Sequence, residues 1–158
     1  MLAAFERVFD SGWYILGEEV ENFEAAYAQY NQINYCVGVS NGLDALFLCL
    51  KTLNIGAGEE VIVPAHTFIA TMLAVTHAGA IPVPVDVDEQ TYNIDPAKIE
   101  EAITSRTKAI LPVHLYGQPC NMEEIMSIAK KHNVFVIEDN AQSQGAKFND
   151  RLTGCWEM

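Results

Sequence analysis

Apolar and polar residues alternate along the chain in blocks whose period keeps changing. Val20, Phe23, Tyr27 and Tyr30 recur at helical spacing, and Glu18, Glu19 and Glu21 occupy the first turn, where acidic residues suit the helix dipole. Residues 35–39 read as a buried strand that ends at Ser40-Asn41-Gly42, and residues 44–53 as a largely buried helix. Gly56 and Gly58 break the chain. Val61-Ile62-Val63 is a second strand closed by Pro64, residues 67–77 form a helix stopped at Gly79, and residues 81–87 are a third apolar run. Pro82 and Pro84 cannot donate ladder hydrogen bonds, so that run belongs at a sheet edge. Pro96 opens a helix capped by Asp95, with Ile99, Ala102 and Ile103 as its apolar face. Residues 109–113 are a fourth strand. Met122, Ile125, Met126 and Ala129 stripe the next helix, and residues 134–137 form a fifth strand running into Glu138-Asp139. Residues 153–158 carry no recognisable element.

Strands that are apolar throughout and separated by helices predict an α/β fold, a mostly parallel sheet with helices on both faces. A chain of 158 residues suits one domain. Half the residues are apolar, which excludes disorder. The net charge of −12 argues against nucleic acid or an anionic membrane surface as partner, since both require cationic patches. No apolar run approaches the ~20 residues of a membrane span. Cys36, Cys49, Cys120 and Cys155 lack metal-ligand spacing and no secretory signal precedes them, so they read as reduced, structural thiols of a cytoplasmic protein.

In an open parallel sheet, ligands bind beyond the carboxyl ends of the strands. After the first strand comes Ser40-Asn41-Gly42-Leu43-Asp44, a Gly-containing turn opening a helix. Backbone N–H groups there attract phosphate, although Asn-Gly turns also arise for backbone reasons alone. After the second comes Pro64-Ala65-His66-Thr67-Phe68, whose aromatic ring can stack on a flat heterocycle or simply fill a core. His66 is open to ligand contact or to a loop role. After the fourth comes His114-Leu115-Tyr116-Gly117-Gln118, polar but without a reaction attached. After the fifth comes Glu138-Asp139-Asn140-Ala141-Gln142, where a carboxylate can hold a protonated ring nitrogen, bind a metal or cap a helix. Gly-x-Gly-x-x-Gly, P-loop and Gly-x-Ser-x-Gly motifs are missing from the sequence.

Together with Ser11-Gly12-Trp13-Tyr14-Ile15-Leu16-Gly17, these segments occur in an order that resembles the nucleotide-sugar aminotransferase family, the DegT and StrS group, over nearly the whole chain. The resemblance implies a type I pyridoxal-phosphate (PLP) transferase fold and amino transfer, usually from glutamate, to a nucleotide-linked keto-sugar, as in amino-sugar biosynthesis for surface polysaccharide. By the same resemblance, Asp139 pairs with the cofactor's pyridine nitrogen, Gln142 bonds the ring's phenolic oxygen, and Phe68 stacks on the ring. Gly42 and Leu43 offer N–H groups to the phosphate, while Tyr14 and His66 lie near substrate.

The family's Schiff-base lysine falls well beyond Asp139. Lys51, Lys98, Lys108, Lys130, Lys131 and Lys147 do not occupy that place. The resemblance therefore implies that residues 1–158 are an incomplete PLP-binding large domain without the small C-terminal domain, inactive alone and with doubtful PLP binding. It also implies that late strands flanking the first strand are missing, so the isolated chain should be marginally stable. The family's members resemble homodimers, which leaves a homo-oligomer open. Two other readings remain: a non-catalytic binding module derived from the same fold, and a different doubly wound enzyme using Asp139 as a metal ligand or phospho-acceptor.

Overall fold

The computed structural model describes residues 2–156, which fall into two compact units divided between Gly38 and Val39. The first unit holds two helices, α1 (Leu2–Ser11) and α2 (Glu18–Asn31). α2 carries the three glutamates in its first turn, as expected, and ends where Gln32 turns into the left-handed region. Arg7 Nε lies 2.7 Å from Glu19 Oε1, an exposed ion pair. α1 escaped the sequence reading, although Leu2, Phe5 and Phe9 are spaced for one helix face.

Residues 35–39 do not form the expected strand. They pair with no strand among the described residues, and Tyr35 is 85% exposed. The physical reason is the ladder: an apolar extended segment becomes a buried strand only when a neighbour takes its N–H and C=O groups.

The second unit is built on a parallel sheet of β1 (Glu60–Pro64), β2 (Ile81–Val85), β3 (Thr107–Ile110) and β4 (Phe135–Val136), in the order β2-β1-β3-β4. The proline-bearing strand β2 lies at the edge, as its missing donors require. Four helices cover the sheet: α3 (Gly42–Thr52), α4 (Ala70–Ala78), α5 (Pro96–Ala102) and α6 (Met122–His132). Side chains alternate across a strand, and the core divides accordingly. Val61, Val63, Ala109 and Leu111 join Leu50 of α3 and Val75 of α4 in one cluster. Ile62 and Ile110 join Ile99 of α5 and Met122, Ile125 and Ala129 of α6 in the other. Helices therefore lie on both faces. Asp95 caps α5 by accepting from the Ala97 N–H at 3.0 Å, as its position before Pro96 predicts.

A two-stranded hairpin, β5 (Lys147–Phe148) and β6 (Arg151–Leu152), was not anticipated. Its turn residues Asn149 and Asp150 both have positive φ, 48° and 62°. An Asn-Asp pair at a two-residue turn is the signal that could have revealed it. Glu157 and Met158 lie outside the described residues; Thr153 is buried, and Trp156 packs edge-on to Phe148.

Glu60 opens β1 as a buried acid. It accepts from the Thr104 hydroxyl and pairs with Arg106. The Thr104 hydrogen bond first, and the Arg106 charge after it, hold its carboxyl below the ordinary value of 4.5. A lowered folded-state pKa gives stability that is present above 4.5 and lost as pH falls through the lowered value. Urea midpoints measured against pH should therefore show wild type ahead of Glu60→Gln near neutrality, with the gap shrinking below that point. A gap constant with pH would contradict the assignment.

Candidate functional site

The ladder does not stop with the strands, and its extension builds the site. The Leu111 N–H donates to Ile62 O at 2.8 Å, the Ile137 N–H to Ile110 O at 3.0 Å, and the Asp139 N–H to Pro112 O at 2.9 Å. Asp139 O then accepts from the His114 N–H at 3.1 Å. Its N–H and C=O, both bonded to the segment around Val113, thus fix Asp139 at the carboxyl edge of the sheet. Its Oδ1 accepts from the Ala141 N–H at 3.1 Å.

A cleft of about 400 Å³ opens at this edge. Leu43, Leu46, Val113 and Leu115 give it an apolar floor; Asn41, Gly42, Phe68, Asp139 and Gln142 stand around it. Gly42, Leu43, Phe68, Asp139 and Gln142, the five candidates for holding a cofactor, therefore share one cavity. Thr67 and Thr71, hydroxyl to hydroxyl at 2.9 Å, line it too and were missed from sequence, because two threonines carry no signal without the fold.

The α3 start is a built helix cap. Asn41 Oδ1 accepts from the Asp44 N–H at 2.9 Å, while its Nδ2 donates to Asp44 Oδ2 at 2.9 Å and holds that carboxylate. Gly42 and Leu43 are the first helical residues, and their N–H groups have no acceptor within the helix. A Cβ added at Gly42 would meet nothing within 4 Å, so the turn is open to a group approaching it.

Gln142 is oriented by the loop opposite. The Tyr116 N–H donates to Gln142 Oε1 at 2.7 Å. An N–H cannot face an NH2, so this bond assigns the oxygen and leaves Nε2 as a donor. The Phe68 ring is 72% exposed, so it is a face offered rather than a core aromatic.

The other two candidates are not among the residues that line this cleft. His66 is exposed and does not line the cleft; its Nε2 is 3.2 Å from the Tyr116 hydroxyl, and Tyr92 and Tyr116 flank its ring. Tyr14 belongs to the first unit, where it lines a separate cleft of about 210 Å³ with Arg7, Ser11 and Trp13. None of the lysines lines the 400 Å³ cleft. Among the described residues no group of three or more His, Cys, Asp or Glu is arranged to hold a metal ion.

Beside Asp139 lies a buried polar centre the sequence reading did not foresee. His114 is fully buried; its Nδ1 accepts from the Cys120 N–H at 3.0 Å, so the proton sits on Nε2 and is donated to Glu138 Oε2 at 2.9 Å. Glu138 also accepts from the Gly154 N–H at 2.8 Å and the Trp156 N–H at 2.7 Å. Burial, and then the nearby Glu138 charge, push the Cys120 thiol up to about 12, so it stays protonated and unreactive at neutral pH.

A parallel sheet covered on both faces, with a capped helix start, an aromatic face and a lone carboxylate around one cleft at its carboxyl edge, is the arrangement in which open α/β sheets hold their ligands. The chain belongs to the DegT/DnrJ/EryC1/StrS aminotransferase family, whose model matches residues 1–157. It is 59% identical over 151 residues to dTDP-3-amino-3,6-dideoxy-alpha-D-galactopyranose transaminase of Aneurinibacillus thermoaerophilus, covering 96% of this chain and 42% of that protein. The solved structure of DesV from S. venezuelae matches with a TM-score of 0.95 and 50% identity over 98% of this chain and 42% of that one. NtdA of Bacillus subtilis, solved with bound cofactor PMP, matches at 0.91 and 41% identity over 96% and 35%. The chain thus spans about 42% of the length of the first two relatives. Among the described residues no helix is long and apolar enough to cross a membrane.

Proposed function

We propose that this chain supplies the cofactor-holding part of the large domain of a PLP-dependent aminotransferase acting on a nucleotide-linked keto-sugar, in amino-sugar biosynthesis for surface polysaccharide or a similar glycan. The observation that carries the reading is the convergence of Gly42, Leu43, Phe68, Asp139 and Gln142 on one cleft. The donor set suits the group. Unsatisfied N–H groups at the start of α3 face an opening that no side chain fills, which suits a phosphate. The Phe68 ring suits stacking. The Asp139 carboxylate keeps a proton on a pyridine nitrogen, and Gln142 Nε2 donates to a phenolic oxygen.

When bound, the cofactor supplies an electron sink for amino transfer. This chain's residues bind and orient it: the apolar floor excludes water, and Asp139 holds the proton that makes the ring electron-poor. No amine stands in the cleft to move the substrate proton, so the chain is inactive alone. Glutamate or a similar donor, a cytoplasmic setting and assembly as a homo-oligomer complete the proposal.

The reading is tested by equilibrium dialysis of the chain against PLP. Saturable, one-to-one binding, reduced by competing inorganic phosphate and by Phe68→Ala, supports it. Absence of saturable binding, or binding indifferent to both, overturns it.

A further inference from the structure

The donor face of Gln142 depends on a residue that never reaches the cleft. Tyr116, whose N–H orients the Gln142 amide, sits at φ 57° and ψ 21° and is followed by Gly117 at φ 80°. The turn closes on itself through the Gln118 N–H to Leu115 O bond at 2.9 Å, but it puts a tyrosine where an L side chain is strained, so bonds from outside the turn help to hold it. The support from outside the turn comes from Asn93. Its side chain is buried, yet its hydrogen-bonding groups reach this loop from both ends: Oδ1 accepts from the Leu115 N–H at 3.1 Å, and Nδ2 donates to Gln118 O at 3.0 Å and Pro119 O at 3.1 Å. Asn93 therefore clamps residues on either side of Tyr116 and Gly117. It comes from the segment between β2 and α5, a different part of the chain from both the loop and Gln142.

We infer that Asn93 is a positioning residue: by clamping the 115–119 loop it sets the Tyr116 N–H against Gln142 Oε1, and so turns Gln142 Nε2 toward the ligand in the cleft. The ligand half of this inference rests on the cofactor reading above; the clamp itself does not. Each bond in the relay has a chemically fixed direction. Leu115 N–H can only donate, Gln118 O and Pro119 O can only accept, and Tyr116 N–H can only meet the amide oxygen. Asparagine is the side chain that offers one acceptor and two donors at that length. Aspartate would keep the bond from Leu115 and set a carboxylate oxygen against two carbonyls. Alanine would lose all three.

The relay is read first without any ligand, by amide hydrogen exchange of the full chain. In wild type the Tyr116 N–H is protected. In Gln142→Ala and in Asn93→Ala its exchange is expected to rise by about tenfold or more beyond the change shared by core amides. Ile99→Val, which loosens the core elsewhere, should move Tyr116 no more than other amides. Asn93→Asp serves if the alanine variant fails to fold, and should raise Tyr116 exchange in the same selective way. Tyr116 protection that persists in both Asn93 variants overturns the inference. The second reading is PLP affinity in a double-mutant cycle. Asn93→Ala should weaken PLP on the order of tenfold in wild type and add almost nothing in a Gln142→Ala background, because it acts through that amide. Equal losses in both backgrounds would make Asn93 merely structural and sink the inference. If wild type binds no PLP, the cofactor reading falls and the exchange result alone decides the clamp.

Discussion

Glu138→Ala should cost the second unit about 2–4 kcal/mol, because it strands the buried His114 N–H, at about 1–3 kcal/mol, and takes the acceptor from two main-chain N–H groups. The Glu138 side chain is 6% exposed and that of His114 is fully buried. With the carboxylate gone, the Nε2–H of His114 loses its acceptor. The Gly154 and Trp156 N–H groups, which meet the same carboxylate, lose their acceptor as well. A whole domain is stable by only about 5–15 kcal/mol, so this single change removes a large part of the total. Glu138→Gln should rescue only part of the loss. All three contacts to the side chain come from donors, on both oxygens, so one orientation of the amide sets its NH2 against His114 and Gly154 and the other against Trp156. Urea unfolding followed by circular dichroism measures both. A Gln variant close to wild type would mean that the three N–H groups do not converge on this carboxylate. A second consequence is local: Glu138 ties β4's exit to residues 154–156, and its loss should release their amides before those of β1.

How much of this was legible in the sequence differs between the fold and the site. The fold was readable wherever a single element carries its own signal. Pro82 and Pro84 announced an edge strand, Asp95-Pro96 announced a capped helix, and the unbroken apolar runs of β1, β3 and β4 announced parallel neighbours. What failed was whatever depends on a partner distant in sequence. Residues 35–39 look like a strand by composition, but composition cannot supply the neighbouring ladder, and the segment stands exposed. The hairpin was lost for the opposite reason: Lys147, Phe148, Arg151 and Leu152 are an unremarkable set, and only the Asn149-Asp150 turn distinguishes them. In the cleft, Phe68, Asp139 and Gln142 lie on loops that topology marks in advance, whereas Gly42 and Leu43 follow a segment that forms no strand, and the roles of all five rest on the family resemblance. Asn93 and His114 act through loops, and no spacing rule connects them to Tyr116 or Cys120.

The cleft has no lysine or arginine, which on the proposed reading decides where affinity for PLP would come from. A phosphate at the start of α3 meets backbone N–H groups alone, with Asp44 in the same first turn held back by Asn41. The principal charge-assisted contact left is the one between Asp139 and a protonated ring nitrogen. Asp139→Ala should therefore weaken PLP by about 2–5 kcal/mol, roughly thirty-fold to several-thousand-fold, the range for truncating one partner of a desolvated charge pair. It should cost little stability. The carboxylate bonds only the Ala141 N–H, while the main-chain bonds to Pro112 and His114 survive the substitution. Large loss of affinity with a nearly unchanged urea midpoint is thus the signature that separates a ligand contact from a structural acid. Asp139→Asn sharpens it. The amide keeps the shape and can still accept from Ala141, but lacks the negative charge that favours a proton on the ring. It should retain part of the affinity and shift the absorbance of bound PLP toward the unprotonated pyridine. If Asp139→Ala bound PLP as tightly as wild type, the carboxylate at the mouth of β4 would have another purpose, and the assignment of this cleft would fall with it.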